Sequence, residues 1–181
     1  MDAEKSPGDC LQIGELAEHA VALYAEMKYD QGRAADTEIV DAKVSPAEYK
    51  IDALLRLGES FLAYRYLEQP DYLRARRAFA EVLAMADADA DSRAQALLGI
   101  GDAFAAERQY AEAGAEYEKA AALEWIKPEL EVEAQYRIGS NERAQGKFER
   151  ARDAYAKILR MPEAGGEYKE MVEQRIRAVY W

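Results

Sequence analysis

An apolar residue followed by glycine recurs three times in this chain, at Leu57-Gly58, Ile100-Gly101 and Ile138-Gly139, with a period of roughly 40 residues. The residues around each step recur with it. Leu54 and Phe61, then Tyr72, Ala75, Phe79 and Val82, correspond to Leu97 and Phe104, then Tyr110, Ala113, Tyr117 and Ala120. A third copy reads Ile138-Gly139, Gly146, Phe148, Ala151, Tyr155 and Ile158 and closes at Met161-Pro162. Each series has helical spacing, so every copy predicts two helices joined by a turn. One such pair cannot build a core alone, and its apolar faces must be covered by neighbouring copies. Composition agrees: 36 alanines stand against one threonine, Thr37, and 15 valines plus isoleucines in 181 residues. Helix formers abound and strand formers are scarce, which excludes a sheet protein.

The expected copies span 46–86, 91–124 and 128–161 of one domain, 10–181, preceded by a flexible tail, 1–9. Ser45-Pro46-Ala47-Glu48 reads as a helix start, with Ser45 as cap and Pro46 in the first turn. That helix runs to about Leu67 and ends at Gln69-Pro70. Upstream, Ile13, Leu16, Ala20, Leu23, Tyr24 and Met27 predict one helix over 10–31, stopped by Gly32, with a loop from Arg33 to Val44. Ala20, Tyr24 and Met27 align with Ala113, Tyr117 and Ala120, so this helix reads as the second half of a pair whose first half is missing. Downstream, Glu167-Tyr168-Lys169 and Arg175-Ile176 echo Glu48-Tyr49-Lys50 and Arg56-Leu57, predicting a lone first helix over 167–181.

The glycine, alanine and aromatic positions of the three copies resemble the tetratricopeptide repeat. The resemblance implies an all-α fold, a right-handed α-solenoid of helix-turn-helix pairs, here with an extra helix at each end. Glycine or alanine lets two helices approach, and a ring one turn away fills the remaining gap. The resemblance also implies a concave groove lined by the first helix of each pair. It assigns to that groove Asp52, Leu55, Arg56 and Glu59, then Gln95, Leu98 and Asp102, then Glu133, Tyr136, Arg137, Ser140 and Arg143, with Gln174 and Arg175 from the last helix. Leu55, Leu98 and Tyr136 would form an apolar line between charges of both signs. Family members that clamp a C-terminal carboxylate do so through Lys, Asn and Arg. Leu55, Glu59, Leu98, Asp102 and Tyr136 stand in those places, so that clamp is not carried over.

Charge and chemistry narrow the function further. The net charge of -11 repels a phosphate backbone, so nucleic acid is excluded as a partner. One cysteine, Cys10, and one histidine, His19, make neither a zinc cage nor a catalytic pair. Gly99-Ile100-Gly101 lies in a helical stripe with no strand before it, unlike a phosphate loop. Asp87, Asp89 and Asp91 lack the glycine turn and final glutamate of a calcium loop, and Glu129, Glu131 and Glu133 read as a solvated helix start. The expectation is a non-catalytic module, without metal or cofactor, that binds a protein or peptide segment in its groove. The alternative is a scaffold that homo-oligomerises through its terminal helices, with Val179-Tyr180-Trp181 as the apolar contact. No apolar stretch predicts membrane insertion, and the absence of a signal-peptide pattern favours the cytoplasm.

Overall fold

The computed structural model describes residues 7–63 and 70–178, with side chains from residue 11. Among them are nine α-helices and no strand. The chain divides into two compact units, Met1–Ser92 and Arg93–Trp181. The first holds α1 (Pro7–Ala25), α2 (Tyr29–Asp41), α3 (Ala47–Leu62) and α4 (Tyr72–Ala84). The second is built on α5 (Ala90–Ala106), whose first turn carries the division, and on α6 (Tyr110–Ala121), α7 (Pro128–Ala144), α8 (Phe148–Arg160) and α9 (Gly166–Arg177). Within each unit successive helices pack against one another.

Three helix pairs are joined by the same turn. Met27, Arg108 and Gly146 each sit in the left-handed region, at φ 61°, 61° and 74°. The following amide reaches back to a carbonyl five residues earlier: Lys28 N to Leu23 O at 2.8 Å, Gln109 N to Phe104 O at 2.9 Å and Lys147 N to Glu142 O at 2.9 Å. This is the hydrogen-bond pattern of a Schellman stop, which satisfies the last carbonyls of a helix and reverses the chain.

The N-terminal end therefore departs from the single helix expected over 10–31. α1 stops at Ala25 because Met27 closes the turn, and the stretch read as a loop from Arg33 to Val44 mostly belongs to α2. Gly32 is no stop signal. It is buried inside α2 against the Tyr24 ring, whose carbons lie 2.9 Å from where a Cβ would stand. With the three turns superposed, Ala20 matches Gly101 and Gly139, and Asp36 matches Tyr117 and Tyr155. So α1 is the first helix of a complete pair, not an orphaned second one. The pair has exchanged ring and small residue between its helices: Tyr24 of α1 covers Gly32 of α2. At the other end α9 packs on α8 through the buried Val172, as a single helix.

In the remaining pairs the expected packing is present. A Cβ on Gly58 would lie 2.5 Å from the Phe79 ring, and one on Gly139 would lie 2.5 Å from the Tyr155 ring; Gly101 meets Tyr117 in the same way. Two boundaries differ. α3 ends at Leu62, and Ser45 does not cap it: Pro46 holds the cap position, so Ser45 lies one residue too early, and its buried hydroxyl makes no hydrogen bond among the described residues. Residues 7–9 of the expected tail are helical.

The loops that lead from one pair to the next also share a form. Those after α2, α4 and α8 have five residues, with Ser45, Ala88 and Ala164 buried and bonded back to Ala42, Met85 and Met161. The loop after α6 is one residue longer. It places Trp125 at φ 64° with 92% of its surface exposed.

Candidate functional site

The groove residues expected from the sequence fall into two sets, one in each unit. In the first unit, Arg56 of α3 reaches Asp36 of α2 through Nε, 3.1 Å from Oδ1, and Nη2, 2.6 Å from the same oxygen. Asp36 is fully buried, occupying the place where the other pairs put a ring. Burial pushes its carboxyl up, and the bonds and charge of Arg56 offset that only in part. The Tyr24 hydroxyl lies beside Asp36 and Ser60, and burial together with the Asp36 charge holds its proton more tightly than in water.

Above this pair lies a cavity of about 330 Å³, open to solvent, between α1 and α3. Val21, Tyr24, Tyr29 and Ala63 make its walls apolar, and Arg56, Glu59 and Ser60 supply its polar atoms. The volume is at the lower end of the range for small-ligand sites. Two turns back along α3, Glu48, Asp52, Asp87 and Asp89 border a second recess of about 270 Å³. Glu48, Asp52 and Asp87 make no ion pair among the described residues, while Asp89 caps the helix start at Ser92 with a 2.8 Å bond.

In the second unit Arg137 plays the part of Arg56, two residues before the paired glycine in each case. Its Nε and Nη2 bind both oxygens of Asp102, at 2.8 and 2.9 Å, and Nη1 meets Glu133 at 2.5 Å. Burial alone would release the Arg137 proton more easily, but the two carboxylates more than reverse this. The Tyr117 hydroxyl donates to Asp102 at 2.8 Å and holds its proton more tightly for the same two reasons, burial and the adjacent negative charge. In the next pair Ser140 and the Tyr155 hydroxyl lie 3.1 Å apart. In these two pairs a hydroxylated ring thus meets the polar residue directly after the glycine, whereas the ring over Gly58 is Phe79, which has no hydroxyl.

Several expected anchors are spoken for. Leu55 and Leu98 are core residues, 7% and 3% exposed, because each lies on the face of its helix that packs inward. They are not surface anchors, which removes the apolar line expected along the groove. Tyr136 is half-buried, its ring 5.9 Å from Tyr155 and 6.4 Å, edge-on, from Tyr168. Asp52, Glu59 and Gln174 are exposed; Gln95, Arg143 and Arg175 are half-buried, and the last two make no ion pair among the described residues. Val179, Tyr180 and Trp181 lie outside the described residues. Val21, Tyr24, Tyr29 and Ser60 were not anticipated; the cavity they line depends on the reversal at Met27, and only that turn would have brought them forward. His19 is exposed on α1.

No helix among the described residues is long and apolar enough to cross a membrane. The chain matches no family model, and no curated protein or solved structure matches it.

Proposed function

We propose that this chain is a non-catalytic protein-interaction module of tetratricopeptide type, which takes a peptide or protein segment along the first helices of its pairs. The observation that carries the reading is the recurring helix pair, with one turn geometry at Met27, Arg108 and Gly146 and one glycine-on-ring contact at Gly58, Gly101 and Gly139. Repeated pairs present a row of equivalent helix faces, which suits a ligand held by many weak contacts along its length. Arg56, Arg137 and Ser140 on those faces are engaged in bonds that hold helices together, while Asp52, Arg143 and Arg175 make no ion pair among the described residues and supply charge for recognition.

The test is selection of a random peptide library on the intact chain, followed by mapping. Selected peptides should lose about tenfold or more in affinity on Asp52→Lys with Glu59→Lys, or on Arg143→Glu with Arg175→Glu. A library that yields no binder, or binders indifferent to both pairs of changes, removes this reading.

A further inference from the structure

We infer that the cavity between α1 and α3 is an anchor subsite for one large uncharged side chain of a basic peptide, whose basic residues lie in the acidic recess two turns away along α3. This rests on the interaction-module reading and gives it a partner chemistry. The cavity is walled mainly by Val21, Tyr24, Tyr29 and Ala63, which suits an apolar or aromatic side chain. Arg56 at its floor is neutralised by Asp36, so it offers no net charge to an anion. The neighbouring recess is bordered by four carboxylates, and the chain as a whole carries -11. Charge complementarity therefore calls for a cationic segment next to the anchor.

The geometry sets the spacing. Both recesses use the same stripe of α3: Glu48 and Asp52 border one, Arg56 and Glu59 the other. Their centres are separated by about seven helical residues, or about 11 Å. An extended peptide covers that distance in about three residues. The peptide that fits has a large apolar residue with lysine or arginine about three positions away.

The experiment measures fluorescence anisotropy of a labelled extended peptide, Gly-Ser-Phe-Ala-Ala-Lys-Lys-Ser-Gly, on the intact chain. Companion peptides replace the phenylalanine by alanine, or both lysines by glutamate, or place the lysines directly beside the phenylalanine. Binding should weaken by about tenfold for each companion. It should weaken similarly on Val21→Trp, which fills the cavity mouth from a half-exposed position, and on Asp52→Lys, at an exposed one. Circular dichroism shows whether each variant keeps its fold. Equal binding of the four peptides, no binding up to millimolar protein, or indifference to both folded variants overturns the inference. The two levels separate cleanly. Library-selected peptides that ignore Val21→Trp and Asp52→Lys but respond to Arg143→Glu with Arg175→Glu leave the interaction module standing without this subsite.

Discussion

At the scale of single residues, a carboxylate stands where the other helix pairs put a ring. Asp36 matches Tyr117 and Tyr155 in its pair, and its full burial is made tolerable by the guanidinium of Arg56. The ring it displaces is supplied from the opposite helix by Tyr24, and Gly32 makes room for it. The substitution of one group thus forces two others. Removing one partner of such a pair leaves an uncompensated buried charge, which costs far more than the pair contributes when intact. Arg56→Ala is expected to destabilise the chain by about 3 kcal/mol, at the lower end for a broken buried pair because the guanidinium keeps an edge in water. The double change Asp36→Leu with Arg56→Met removes both charges and should recover most of that loss. Urea denaturation of the two variants beside the parent chain measures both. If Arg56→Ala costs no more than an exposed ion pair, below about 1 kcal/mol, Asp36 is not held as a buried anion.

At the scale of elements, the left-handed residue of the turn is the common part, and its chemistry explains what the sequence showed and what it hid. Gly146 fills that position without strain, while Met27 and Arg108 pay for it with a Cβ close to the backbone carbonyl. Met27 is also largely exposed and has no packing role to lose. Met27→Gly is therefore expected to raise stability by about 1 kcal/mol, with a raised thermal midpoint as the readout, and Gly146→Ala to lower it by a similar amount. The same residue concealed the first helix pair. A methionine gives no stop signal, so Leu23, Tyr24 and Met27 read as one continuous stripe, and the two glycines that mark the later pairs have Ala20 as their counterpart here. From α3 to α8 the glycine and ring kept their identities, and the pairs were legible. The candidate site was legible in proportion: Arg56 and Glu59 came from a recognisable helix, whereas Val21, Tyr24 and Tyr29 lie on the pair that the pattern merged. Leu55 and Leu98 were misread because spacing fixes the turn of a helix on which a residue lies more firmly than whether that face is covered.

At the scale of the whole molecule, each compact unit ties neighbouring helix pairs with an arginine–aspartate bridge. In the second, Arg137 of α7 grips Asp102 of α5, Tyr117 of α6 donates to the same carboxylate, and Asn141 of α7 donates to the Tyr110 carbonyl at 2.9 Å. Three helices are thereby joined by side chains that no single pair contains. A second cluster, Val132, Tyr155, Ile158 and Val172, with Tyr136 packed against it, joins α7, α8 and α9. α7 belongs to both groups, so loss of either end should be felt through it. A chain that begins at Asp89 keeps α5 whole and retains every one of these contacts. It is expected to fold as a helical domain with a single sigmoidal thermal transition by circular dichroism. A chain that begins instead at Leu123 loses α5 and α6, leaves Arg137 without Asp102 and removes the Tyr110 carbonyl from Asn141. It should melt without a sharp transition, because three helices held by one cluster bury too little surface to offset their conformational entropy. Equal cooperativity in the two fragments would place the stability of this unit in the α7 to α9 cluster alone and reduce the arginine bridge to a surface contact.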